Sequence, residues 1–91
     1  MAHTTRDKAK LLARVRRIRG QIEAVERALE AEAGCSDVLH LLAASRGAMN
    51  GLMAEVIDDH VREHVVAASL SEHERARGAD ELLDVIRAYV K

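Results

Sequence analysis

Apolar residues recur along this chain at helical spacing. Leu11, Val15, Ile18, Ile22, Val25 and Leu29 step by 4, 3, 4, 3 and 4, a heptad seam that predicts a first amphipathic helix. Thr4 or Thr5 can cap its start, and Gly34 suits a left-handed stop. A second helix is expected from about Ser36–Asp37, whose side chains fit an N-cap and first turn, through Leu39, Leu42, Met49, Met53, Val56 and Ile57 to about Val66. Residues 67–78 read as a looser polar connection, with a helical turn at Ser71-Glu72-His73-Glu74. A last helix carries Leu82, Leu83, Val85, Ile86, Tyr89 and Val90. Proline is absent and Tyr89 is the sole aromatic residue, so strand and turn signals are poor. The expected fold is all-α, a three-helix protomer with two long helices and a short C-terminal one.

This pattern also predicts a partner. Two helices of about 28–30 residues would be about 42–45 Å long. A compact monomer of this size has a radius of gyration of only about 12 Å. The long helices cannot cover their own apolar stripes, so an oligomer sharing a four-helix or larger bundle is expected. The second helix also carries a small-residue seam, Ala43/Ala44, Gly47/Ala48 and Gly51. Interior glycines cost about 1 kcal/mol each relative to alanine, and close backbone approach to another helix is the expected compensation.

The 91 residues suit one domain, 1–91, and no apolar run approaches the length needed to cross a bilayer. The opening MAHTTRDKAKLLAR has no apolar core, so it is not read as a secretory signal, and a cytoplasmic protein is expected. The single cysteine, Cys35, excludes an internal disulfide framework and leaves a thiol for metal or redox chemistry. The net charge of −1 hides an asymmetry. Residues 1–20 hold seven Lys/Arg against Asp7 alone, giving +6, and the remainder carries −7. A basic end on an acidic protein points to a polyanion such as DNA. Arg6, Lys10, Arg14 and Arg17 step by 4, 4 and 3 and continue to Gln21, flanking the apolar seam on a row expected to stay exposed. With no aromatic set for stacking single-stranded bases, duplex DNA held through phosphates and groove shape fits better.

His60 and His64, at i and i+4, leave the same face of the second helix, the usual way one helix presents two ligands to a metal. In an antiparallel hairpin turning near residue 34, His3 and the N-terminal amine lie at the level of these histidines. Cys35 lies at the other end, about 37 Å from His60 along the helix. Only a second, antiparallel protomer could bring its cysteine there, which puts the site between subunits and makes it recur by two-fold symmetry. Near a helix N-terminus Cys35 is favoured as thiolate, the metal-binding form. One thiolate with several nitrogens suits Ni(II), Co(II) or Zn(II), whereas Cu(I) prefers more sulfur. His60-Val-Arg-Glu63-His64 also matches the H-x-x-E-H pattern of inverted zincins. A hydrolase would need a third protein ligand and a substrate cleft, so an enzyme is not expected.

ARVRRIRGQIEAVERALE, Cys35 at the junction of the first two helices and AASRGAMNGLMAEVIDDHVREH together resemble the CsoR/RcnR/FrmR family of metal- and formaldehyde-responsive transcriptional repressors, over essentially the whole chain. The resemblance implies an antiparallel dimer, a dimer-of-dimers tetramer, and operator DNA bound in the apo form and released on effector binding. Its members are sorted by four positions that read His3, Cys35, His60 and His64 here. That set resembles the nickel/cobalt branch, as does MAHTTRDK, and implies derepression of a metal efflux gene. The copper branch would have cysteine in place of His64, and persulfide sensors rely on two cysteines. The alternative is the formaldehyde branch, which joins a near-terminal proline amine to the thiol matching Cys35. This chain has Ala2, small enough for Met1 removal to leave an amine able to ligate metal or meet an aldehyde. Arg14 and Arg17, with Lys10, are the expected DNA contacts, and the resemblance suggests that Arg46 joins the same surface.

Overall fold

The computed structural model describes residues 7–89, which form three helices: α1 (Lys8–Glu30), α2 (Cys35–His64) and α3 (Glu72–Tyr89). No strand occurs among the described residues, and the all-α, three-helix expectation holds. The described residues fall into two compact units: Lys8–Ala54, and Asp7 together with the residues from Glu55 onward.

In the first unit α1 closes on a Schellman motif. Ala33 N–H donates to Ala28 O at 2.9 Å and Glu32 N–H to Leu29 O at 3.1 Å, while Glu32 takes a left-handed φ of 55°. The stop expected at Gly34 is therefore made two residues earlier by a glutamate, and no described glycine has a positive φ. Gly34 instead starts α2. Its carbonyl accepts the first i→i−4 bond, from Val38 N–H at 3.2 Å, which makes it the N-cap and Cys35 the first helical residue. Asp37 in that first turn suits the positive end of the helix dipole.

The heptad seam splits into two rows. Leu11, Ile18 and Val25 are buried at 6–8% exposure, whereas Val15, Ile22 and Leu29 stand 43–60% exposed. Arg14 and Gln21 are half-buried between the members of the buried row and Ala28 just beyond it, and on α2 Val38, Leu41, Ala48 and Leu52 are half-buried too. A two-helix hairpin covers only one edge of an apolar stripe wide enough to serve two neighbours. Leu39, Leu42, Met49 and Met53 continue the exposed apolar surface on α2. The buried Ser45 hydroxyl is satisfied within α2, donating to Leu41 O at 2.9 Å.

The second unit holds the end of α2 and all of α3. Val65 N–H and Val66 N–H both donate to Val61 O, at 3.1 and 2.9 Å, which tightens the helix end. Arg75 covers freed carbonyls there, donating through Nη1 to Val65 O and through Nη2 to Leu70 O at 3.2 Å. The polar connection expected over residues 67–78 is shorter than that. Ser71 and Glu74 form a capping box, Ser71 N–H to Glu74 Oε1 at 2.8 Å and Glu74 N–H to Ser71 Oγ at 3.1 Å, and α3 runs unbroken from Glu72 through Gly78. The apolar periodicity is weak here because the contact made by this part of α3 is backbone to backbone. A Cβ on the buried Gly78 would collide with the His64 carbonyl, 2.7 Å from its carbon and 2.9 Å from the His64 Cβ.

Candidate metal centre

His60 and His64 project from the last turns of α2 with ring centroids 5.1 Å apart and planes tilted by 37°. The His60 ring is anchored: Nε2–H donates to Gly78 O at 2.8 Å, and Glu81 Oε1 lies 3.9 Å from the same nitrogen. A carbonyl only accepts, so Nε2 carries a proton. Metal-ligating histidines commonly give one ring N–H to a backbone carbonyl in this way.

The surroundings are acidic. Asp59 and Glu63 neighbour the histidines on α2, and Asp59 Oδ2 and Glu63 Oε2 are buried without a hydrogen-bond partner. Burial raises the Asp59 carboxyl above its ordinary value, assisted by the neighbouring Asp7 and by the charges of Asp58 and Glu63. Such a setting favours positive charge nearby.

Among the described residues no group of three or more His, Cys, Asp or Glu side chains is arranged to hold a metal ion. His3 lies outside the described residues, as do Thr4, Thr5, Arg6 and Val90. Cys35 is exposed at the first residue of α2, in the other unit. The imidazole pair is thus brought together as expected, and it fits one half of a borderline donor set. The zincin-like reading of Glu63 gains no third ligand among the described residues. Sequence reasoning missed the Gly78 carbonyl and Glu81, because a partner from another helix leaves no local spacing signal.

Of the basic candidates, Lys10, Arg17 and Arg46 are exposed. Arg14 and Gln21 depart from the expected exposed row. Both are half-buried, because they alternate with Leu11, Ile18 and Val25 on the side of α1 that the hairpin covers. A Cβ on Gly51 would stand 3.1 Å from Arg14 Nη1. Among the described residues, then, neither glycine of the expected small-residue seam meets another helix's backbone: Gly51 faces the Arg14 side chain and Gly47 open space.

The family described as metal-sensitive transcriptional repressor matches residues 7–88. The transcriptional repressor RcnR of Salmonella paratyphi B is 46% identical over 91 residues, the full length of both chains. A protein described as lying in the bioA 5' region of Serratia marcescens is 56% identical, again over both full lengths. Among solved structures, a Glu-to-His variant of the formaldehyde-responsive regulator FrmR from Salmonella enterica serovar Typhimurium superposes with a TM-score of 0.88. It is 45% identical, over 97% of this chain and 99% of that one. The chain belongs to the family of metal-sensitive transcriptional repressors, the CsoR/RcnR/FrmR family. It is a regulator of transcription and not an enzyme. No described helix is long and apolar enough to cross a membrane.

Proposed function

We propose that this chain, acting as a single domain, represses transcription by binding duplex operator DNA in its apo form and releases it on binding Ni(II) or Co(II), derepressing a metal efflux gene. The observation that carries the reading is the His60–His64 pair, with rings 5.1 Å apart and His60 anchored through Nε2 to the Gly78 carbonyl. His3 and the N-terminal amine supply further nitrogen donors, and Cys35 comes from an antiparallel neighbour. The exposed apolar row Val15, Ile22, Leu29, Leu42, Met49 and Met53 supports such a neighbour, since its burial supplies the main driving force for a dimer and then a tetramer. Bound metal would contribute a fixed divalent charge with a preferred geometry. Lys10, Arg14, Arg17 and Arg46 hold DNA phosphates, in the cytoplasm. Tethering His3 restrains the start of α1, where the basic row begins, and so favours an assembly geometry that DNA disfavours.

A second reading is formaldehyde sensing through the N-terminal amine and Cys35. It is favoured by the likeness to FrmR and by the exposed thiol. Zinc also suits the donor set. Operator binding by anaerobic protein, with Ni(II), Co(II), Zn(II), Cu(I) or formaldehyde added in turn, separates these. Release by nickel or cobalt at the lowest concentration supports the proposal, and release by formaldehyde alone overturns it.

A further inference from the structure

We infer that Gly51 is a seat for the Arg14 guanidinium, which positions this arginine for DNA. The inference rests on the reading of Arg14 as a DNA contact. Glycine inside a helix costs stability relative to alanine, so its presence calls for a gain elsewhere. The glycines of these helices differ in what surrounds them. Cβ atoms built at Gly20 and Gly47 meet nothing within 4 Å, whereas one at Gly51 stands 3.1 Å from Arg14 Nη1, closer than ordinary van der Waals contact. Residues 14 and 51 are equally far from the connection between α1 and α2, at one level of the hairpin. Arg14 is half-buried while its basic neighbours Lys10 and Arg17 are exposed, so its stem lies in the groove and its head reaches α2.

The gain from such a seat is preorganisation. A free arginine side chain loses rotamer freedom when it grips a phosphate, and an arginine already laid across a neighbouring helix loses less. Its planar fork then meets the phosphate in a fixed orientation. Any side chain at position 51 displaces the guanidinium rather than the backbone, because the atom that blocks it is the end of a flexible chain. Gly51 is thus a positioning residue that acts through Arg14.

The test uses the full-length protein and a duplex selected from a random-sequence pool by the wild-type chain. Affinity is measured over a range of salt for Arg14→Ala, Gly51→Ala, Gly51→Leu and the double variant Arg14→Ala with Gly51→Leu. Gly20→Ala is the control for helix propensity alone. Arg14→Ala should weaken binding about tenfold and flatten the salt dependence by about one unit of slope for each arginine in contact. Gly51→Leu should reproduce most of both effects, Gly51→Ala an intermediate part, and Gly20→Ala neither. Adding Gly51→Leu to Arg14→Ala should change nothing further. Thermal unfolding of Gly51→Ala at or above the wild-type midpoint shows that the loss is not one of folding, and this variant carries the test if Gly51→Leu does not fold. Wild-type binding by both Gly51 variants beside a weak Arg14→Ala overturns the seat and leaves the Arg14 reading standing. Wild-type binding by Arg14→Ala overturns that reading itself. An undiminished effect of Gly51→Leu in the Arg14→Ala background shows that Gly51 acts elsewhere, and also overturns the seat.

Discussion

The Nε2–H of His60 donates to the carbonyl oxygen of Gly78 at 2.8 Å, and this links α3 directly to one of the two candidate ligand histidines on α2. The same glycine allows the two backbones to approach so closely that no side chain fits between Gly78 and His64. One residue of α3 thus sets both the ring orientation of His60 and the distance at which α3 crosses the end of α2.

Replacing Gly78 with alanine should therefore destabilise the protein despite alanine's better helix propensity. Overpacking against backbone costs about 1–3 kcal/mol, and the propensity gain is only about 1 kcal/mol. A net loss lowers the midpoint by about 4–8 °C per kcal/mol in a chain of this size. Thermal unfolding checks this, and metal titration of the same variant should show about 10–100-fold weaker binding, since the hydrogen bond that orients His60 is disturbed.

The left-handed Glu32 makes the opposite prediction. A non-glycine residue in this region costs about 1–2 kcal/mol, more than the roughly 0.5–1 kcal/mol of chain entropy that glycine loses on folding. Glu32→Gly should stabilise the protein by about 0.5–1 kcal/mol, read as a higher urea midpoint at unchanged slope. Gly34→Ala should be tolerated, because Gly34 has no positive φ and an added Cβ would meet Asp37 Oδ2 at an ordinary 3.8 Å. A large destabilisation by Gly34→Ala would mean that the turn is built differently.

Acid should loosen the start of α3. The hydrogen bond from the Ser71 backbone N–H, aided by the Ser71 hydroxyl contact, holds the Glu74 carboxyl below its ordinary value of 4.5. A lowered folded-state pKa means that the capping box contributes fully above that ordinary value. Its contribution is lost as the pH falls through the folded-state value. Hydrogen exchange of the first α3 amides should accelerate over that acidic window relative to the rest of the helix, and Glu74→Gln should flatten this dependence. Equal acceleration in both proteins would assign the effect to another group.

Deleting residues 1–4 removes His3 and relocates the N-terminal amine while leaving every described helix intact. Apo protein should still bind operator DNA, and nickel or cobalt should no longer release it. His64→Ala should give the same pattern through a different ligand, with metal affinity measured directly by competition against a chelator. Unchanged metal-induced release by the deletion variant would break the proposed route from metal to α1.

Much of the fold was legible because helix periodicity is a local property. The 4–3 spacing from Leu11 to Leu29 placed α1, and the i, i+4 spacing put His60 and His64 on one face of α2. Ser71 and Glu74 announced a capping box, but the weak apolar pattern that follows hid the fact that α3 begins there. The position of the helical stop was misread because glycine is the usual left-handed residue, and here the hydrogen bonds of the α1 end impose that conformation on Glu32.

The sequence by itself determined the helices, their apolar stripes, the concentration of positive charge on the first twenty residues and the histidine pair, since each depends on residues a few positions apart. Tertiary structure alone decided which edge of the α1 stripe is covered, that Arg14 lies over Gly51, and that Gly78 supplies the carbonyl for His60. A helix sequence shows which residues share a face, but not which neighbour covers that face or where another backbone crosses it. Those contacts join residues far apart in the chain, and only the packed structure brings them together.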